Sequence, residues 1–268
     1  MNSILWQYFS DQPEFQIIDK SNSVLEFEPG NGFEELYLKL RTKEGRLYPD
    51  EVVKLLPEIS STHMLNKEWR IRELSAKKLA SYLKAQGTIN PVILDVGCGN
   101  GWLTNYLSTR LPAVHCGIDV NKTELEQAAR LFGNSHKVFF VYGYISIAQL
   151  PKGEVDYILL TSSIQYFKNL NQVITNLLPS LTSKGEIHIM DSPIYKTSEV
   201  SNARNRTRAY FEGQGFGEMN NWYHHHTWAD LESFNFKILT RPSNRIMRWI
   251  STEKSTPFPW IRITTENR

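Results

Sequence analysis

The stretch VILDVGCGNGWL, residues 92–103, constrains this chain more than any other. A β-branched apolar run ends at Asp95, three glycines follow within five positions (Gly97, Gly99, Gly101), and a helical pattern begins at Trp102. Glycine turns the chain through left-handed conformations and lets another group approach the backbone closely. Between a strand and a helix, such a turn presents free N–H groups at the helix start, where a negative or polar ligand group is favoured. The segment predicts one strand–turn–helix unit of an α/β fold.

The chain beyond it agrees. Short β-branched runs at 92–95, 114–119, 137–142, 155–161, 186–191, 236–239 and 260–264 alternate with helical patterns, which predicts a parallel sheet covered by helices. Helices are expected over 122–132 and 169–181; in the second, Leu170, Val173, Ile174, Leu177, Leu178 and Leu181 recur at one-face spacing and read as core. Another, over 66–85, carries Trp69, Leu74, Leu79 and Leu83 near one face and leads into the first strand. Residues 25–38 mix acidic and apolar side chains around a PGNG turn without that alternation, so 1–65 is expected to be an extension or cap and 66–268 the main domain. A chain of 268 residues, 41% apolar, is long enough to bury such a core.

Thirty basic residues against twenty-eight acidic ones leave a net charge of +2, with no Lys/Arg run to track phosphates, so nucleic acid is not an expected partner. The two cysteines, Cys98 and Cys116, form neither a disulfide framework nor a CxxC pair, and a reducing cytoplasm is the expected setting. MNSILWQYFSDQPEF lacks a basic start followed by an apolar core, and no segment approaches about 18 unbroken apolar residues; neither export nor a membrane partner is expected.

Several ligands suit a glycine turn. A P-loop needs Lys and then Ser or Thr after its last glycine, whereas Gly101 is followed by Trp102 and Leu103. A dinucleotide fingerprint needs a third glycine where Trp102 stands, and an indole there is expected to crowd the helix–strand contact. What remains is D-x-G-x-G-x-G from Asp95, with a second acid, Asp119, ending the next strand in GIDVNK. An acid there can accept hydrogen bonds from both hydroxyls of a ribose. The plainer alternatives are a tight turn with no ligand and a helix N-cap for Asp119.

Through ILDVGCGNG, GIDVN and VDYILLTSSIQYF the sequence resembles the class I S-adenosylmethionine-dependent methyltransferases, from about residue 66 to the C-terminus. The resemblance implies a doubly wound, mostly parallel seven-stranded Rossmann-like sheet with its last strand reversed, 236–239 pairing with 260–264. It implies S-adenosylmethionine as cofactor and methyl transfer as activity. Gly97, Cys98, Gly99 and Gly101 would then shape the loop under the methionine part, Asp95 would place its amino end, and Asp119, with Val120 beside it, would hold the ribose. Thr161 and Ser162 would add contacts from the fourth strand, or else simply pack there. The family often carries an acid after the glycine that ends its third strand; here Tyr144 stands in VYGYISIAQLP, leaving adenine to Tyr144, the backbone of Ile145, or Ser146. The absent nucleic-acid footprint points to a small-molecule acceptor, its reacting atom left open. Two other readings stand beside this one: a cofactor-binding scaffold or regulatory module without transfer activity, which Tyr144 favours, and a nicotinamide-dependent oxidoreductase, which Trp102 disfavours.

Oxygen acceptors need a nearby base, and the candidates follow the later strands. Tyr166, beside Gln165, is placed near the transferred methyl or in plain core. Asp191 ends HIMDSPIY; Tyr223, His224 and His226 in NNWYHHHTWADL are candidate pocket residues. Neighbours in an extended segment point to opposite sides, so at most His224 and His226 share a ligand, and no metal is expected. Thr227 and Asp230 form a T-x-x-D capping box, which makes the histidines a helix entrance in the alternative. Arg204, Arg206 and Arg208 share no helical face and read as solvated surface; extended, they would line one side for a carboxylate or phosphate. The insert between the last two strands is expected to pack as a helix through Ile246, Trp249 and Ile250, or in the alternative to bind a partner.

Overall fold

The computed structural model describes residues 3–13, 15–18, 32–133, 137–145, 150–242 and 256–265. Ser146 and the 246–250 insert, for which expectations were stated, lie outside these.

Five parallel strands form the centre: β2 (Val92–Val96), β3 (Val114–Asp119), β4 (Val138–Tyr142), β5 (Val155–Thr161) and β6 (Leu181–Met190). β7 (Asn235–Thr240) and β8 (Trp260–Thr264) complete the expected set, with β8 antiparallel to both β6 and β7. The sheet has eight strands rather than seven, in the order β1-β4-β3-β2-β5-β6-β8-β7, because β1 (Gln16–Ile18) pairs antiparallel with the outer edge of β4. α1 (Ile4–Asp11), capped by the Ser3 side chain, precedes β1 and buries Leu5 and Phe9, one turn apart, in the core shared by Val96, Ile118 and Phe139. The extension therefore begins as part of the sheet's own core.

Helices cover both faces because the strands are apolar on both. α4 (Asn66–Gln86) and α5 (Trp102–Ser108) pack Leu79, Leu83 and Leu107 on Ile93 and Leu159. α6 (Lys122–Phe132) sets Leu125, Ala128 and Ala129 against Phe140, and α7 (Leu170–Leu177) buries Leu170, Val173, Ile174 and Leu177 in the main core. The helix expected to reach residue 181 stops at Leu177; Leu178–Ser180 is a 3-10 turn, and Leu181 already opens β6. Leu178 keeps α backbone angles and its N–H still bonds to the Ile174 carbonyl, but Pro179 supplies no N–H for the next bond, which ends the helix.

Above the C-terminal strand ends lies a cap. It comprises α2 (Phe33–Lys43), α8 (Val200–Gly213) and a 3-10 turn at Gly217–Asn221, joined by a cluster of Leu40, Phe211 and Met219, with α3 (Asp50–Val53) packing through Val53 on Leu56 and on Trp69 of α4 in a second cluster. The arginine segment is the helix α8, with Arg204, Arg206 and Arg208 all exposed. No helix among the described residues is long and apolar enough to cross a membrane.

Candidate functional site

Gly97, Gly99 and Gly101 all have positive φ (77°, 52° and 72°), and the turn is tied to β3 by N–H bonds from Gly97 and Cys98 to the Ile118 carbonyl at 2.8 and 3.2 Å. The three differ in task. A Cβ on Gly97 would lie 2.4 Å from Ser163 Cβ, so this glycine lets the turn meet the end of β5. A Cβ on Gly101 would lie 2.6 Å from Phe140 Cε1 and 2.8 Å from Ala128 Cβ, so Gly101 seats α5 on the sheet and is not among the residues lining the site's cavity. The Trp102 indole does not crowd that contact: it turns toward α4, edge-on to Trp69 with centroids 5.2 Å apart. Gly99 faces the carboxylates, and its N–H donates to Asp119 Oδ2 at 2.8 Å.

The second oxygen of Asp119 accepts from the Asn121 N–H at 2.8 Å, which aims the carboxylate across the crevice between β2 and β3. Asp119 is not the N-cap of α6: Asn121 is, its side chain accepting from the Glu124 N–H at 3.1 Å. Burial raises the Asp119 pKa, while the backbone donors Gly99 and Asn121 oppose that rise. Asp95, 2% exposed, accepts from Thr104 Oγ1 at 2.7 Å and is pushed by burial up to about 7. Glu124, absent from the sequence expectations, shares the crevice; Asn121 Nδ2 donates to it at 3.0 Å, and burial pushes it up to about 7. Its signal was an ordinary N3 acid after an Asn cap, which sequence reads only as helix start.

These groups open into a cavity of about 470 Å³. Asp95, Gly97, Cys98, Gly99, Asp119 and Val120 line it from β2, β3 and the glycine turn; Tyr144 and Ile145 line it beyond β4, Thr161 and Ser162 at the end of β5. Tyr144 is 42% exposed, at the rim. Two buried hydroxyls beside β5, Thr161 Oγ1 and Ser163 Oγ, have no hydrogen-bond partner. Ser162 holds a left-handed backbone (φ 56°), and its hydroxyl donates to the Asp191 carbonyl at 3.2 Å.

The cap supplies the opposite wall; an extension or cap was expected over 1–65, but none of its wall residues. Phe33, Tyr37 and Arg41 recur at i, i+4 and i+8 on α2 and, with Glu34, face the cavity. That spacing is legible in FEELYLKLR once the segment is taken as helix. Arg41 donates to Glu44 Oε2 and to the Tyr166 hydroxyl, both at 2.7 Å, and lies 4.7 Å from the Tyr37 ring centre. Arg46, paired with Glu68 at 2.6 and 2.7 Å, and Arg72 line the end beside Trp69 and Trp102.

Of the expected pocket residues only Tyr166 lines this cavity. Asp191 leaves β6 with φ 51°, turns toward α4 and accepts from Ser75 Oγ at 2.6 Å in a separate small void. Tyr223 stands behind the wall, edge-on to Tyr166 (6.1 Å) and Phe211 (5.7 Å). His226 is buried with Nε2 donating to the Ile164 carbonyl at 2.8 Å, and the half-buried His224 donates its N–H to Gln165 O at 2.7 Å. Burial lowers the pKa of both imidazoles. The Thr227–Asp230 capping box forms as expected, opening a 3-10 turn at Trp228–Leu231 that packs the histidine segment against residues 164–166.

A doubly wound sheet with a glycine turn after its first parallel strand and an acid ending the second is a nucleoside-binding α/β architecture. The family described as "Methyltransferase domain" matches residues 93–185. The chain is 31% identical over 117 residues to a malonyl-acyl-carrier-protein O-methyltransferase of Acetivibrio thermocellus, covering 43% of this chain and 41% of that protein. The chain spans less than half the length of the curated relatives it matches, 41% and 49% for the first two. Its fold is similar to that of magnesium protoporphyrin IX methyltransferase from Synechocystis PCC 6803 with bound SAH (TM-score 0.54, 13% identity, 88% of this chain and 96% of that one). The YcgJ protein of Bacillus subtilis is similar as well (TM-score 0.53, 14% identity, 73% of this chain and 100% of that one).

Proposed function

We propose that this chain transfers a methyl group from S-adenosylmethionine to a small-molecule acceptor, with residues 66–268 as the methyltransferase domain and residues 1–65 as an extension that closes its cavity. The observation that carries this reading is the Asp119 carboxylate, held by the Gly99 and Asn121 N–H groups at the mouth of the cavity. Those donors occupy two of the about four acceptor positions of a carboxylate, and the rest suit a pair of vicinal ribose hydroxyls. The unpartnered Thr161 and Ser163 hydroxyls fit a ligand that brings its own polar groups. Asp95 suits the ammonium of the methionine part, and Arg46 and Arg72 suit its carboxylate. When bound, the cofactor supplies an electrophilic methyl group on a sulfonium.

The protein's share is alignment and exclusion of water. Phe33, Tyr37, Tyr166 and Trp222 form an aromatic wall that fits a small acceptor with an apolar or flat body. Holding such an acceptor in line with the methyl group supplies about 7–11 kcal/mol of the barrier reduction without a strong base. Tyr166 is the pocket residue of this reading; Tyr223 backs it, and Asp191, His224 and His226 act through packing. A net charge of +2 supports a small acceptor rather than nucleic acid, and two buried free thiols, Cys98 and Cys116, support a cytoplasmic setting.

Titration of the wild-type chain and Asp119→Ala with S-adenosylmethionine, S-adenosylhomocysteine and NAD tests this. Micromolar binding of the first two, weakened roughly 10–100-fold by the substitution, is the expected result, since hydrogen bonds to a charged acceptor are lost. Preference for NAD, or unchanged affinity in Asp119→Ala, overturns it.

A further inference from the structure

Class I methyltransferases often place an acid just after the third parallel strand, and this chain has Tyr144 there. The fold nevertheless puts a carboxylate in that neighbourhood from a distant part of the sequence. The ends of β3 and β4 are adjacent: Asp119 is the register partner of Tyr142, and the Gly143 N–H donates to the Asp119 carbonyl at 3.1 Å. Over this junction α2 lowers Glu34, whose Oε1 accepts from the Lys122 N–H at 2.6 Å, three residues beyond Asp119. Glu34 lines the same cavity as Asp119, Val120, Gly143 and Tyr144. Burial raises the Glu34 pKa, two backbone donors of α6 offset that, and the Asp119 charge adds to the rise. Burial and then the Glu34 charge raise the Tyr144 phenol, which ties the carboxylate electrostatically to the rim residue.

We infer that Glu34, carried by the cap helix, is the acid that accepts the 6-amino group of adenine in place of the one missing at Tyr144. This rests on the reading of the cavity as an S-adenosylmethionine site and adds to it a residue outside the matched family segment 93–185. The Lys122 and Thr123 N–H groups dock the Glu34 carboxylate onto the start of α6 and use two of its about four acceptor positions, which leaves acceptor capacity for the base. A neutral phenol at 144 offers the amino group one weaker acceptor or a stacking face, so the charged acceptor carries the discrimination. Because the acid sits on the cap, adenine recognition and cap closure are one event. A donor lacking the amino group leaves the cap fastened only by its protein contacts.

The test compares S-adenosylhomocysteine with its purine-riboside analogue, in which hydrogen replaces the 6-amino group, by calorimetric titration of wild type, Glu34→Gln and Glu34→Ala. Wild type prefers the amino compound by roughly 10–100-fold, the worth of a hydrogen bond to a charged group. The ratio falls several-fold in Glu34→Gln, which keeps the shape and loses the charge, and approaches one in Glu34→Ala. Because the two ligands differ only at the amino group, general loosening of the cap weakens both alike and leaves the ratio untouched. A wild-type ratio near one, or a ratio unchanged in both variants, overturns the assignment of Glu34 while the cofactor reading stands. Failure of wild type to bind either homocysteine compound overturns both together.

Discussion

Asp95 is held at 2% exposure with Thr104 Oγ1 donating to it, and burial has moved its pKa from the ordinary carboxylate range to about 7. Between about pH 4 and pH 7 the folded chain therefore binds more protons at this site than the unfolded chain does. The stability tied to this proton is fully present below about pH 4 and is lost as pH rises through about 7. Asp95→Asn keeps the shape and removes the charge, so it is expected to stabilise the free protein at pH 8 by on the order of 2–4 kcal/mol and to flatten the profile. Denaturant midpoints of both proteins at pH 5 and pH 8 check this, and parallel profiles would exclude it. Glu124, also pushed to about 7, leaves a residual slope in the variant. Asp95 and Asp119 were readable in the sequence because each follows an apolar run and flanks the glycine turn. Glu34 and Glu124 were not, since their meaning depends on which helix start or crevice they are folded against. Asp191 and the histidines misled for the same reason, because a strand-end acid or imidazole faces a pocket only if the next turn sends it there.

At the scale of elements, the glycine turn divides its work, and substitution separates the parts. Gly101 and Gly87 both sit in the left-handed region, at φ 72° and 69°, each flanking a helix end. An added methyl group at Gly87 meets nothing within 4 Å, whereas at Gly101 it falls 2.6 Å from the Phe140 ring. Alanine at either position incurs the left-handed cost of roughly 1–2 kcal/mol. Gly101→Ala also overpacks the α5–sheet contact and is expected to lose about 1–3 kcal/mol more than Gly87→Ala. Equal losses in chemical denaturation would assign Gly101 to turn geometry alone. Strands at 114–119, 155–161 and 260–264 coincide with the apolar runs that announced them, since a strand with buried side chains has little freedom to slide in register. β1 was not legible, because three residues carry no alternation to read. The end of α7 was legible only through Pro179, whose missing N–H outweighs a leucine stripe that runs on to Leu181.

For the whole molecule the decisive contacts are those that fasten the cap. Arg41 on α2 reaches the Tyr166 hydroxyl across 125 residues of sequence, and the Tyr210 hydroxyl on α8 donates to Glu44 across 166. Local periodicity is blind to such pairs, so the sheet and the presence of a cap could be anticipated while the side chains that fasten the cap could not. α2 forms one wall of the cavity, and the free energy of its local opening is smaller than that of global unfolding. Tyr166→Phe removes one acceptor from a guanidinium held between Glu44 and the Tyr37 ring, a loss of about 1–3 kcal/mol for a buried charged donor. Amides of residues 33–43 are then expected to exchange with deuterium roughly 5–100-fold faster in the free protein, while those of β2 and β3 keep their wild-type rates. Saturating S-adenosylhomocysteine should slow the cap amides in both proteins, because a ligand that binds only the closed form stabilises it by mass action. Unchanged exchange over 33–43 would mean that the Arg41 bond does not hold the cap. Acceleration spread evenly over β2, β3 and the cap would mean that the cap opens only when the whole sheet does.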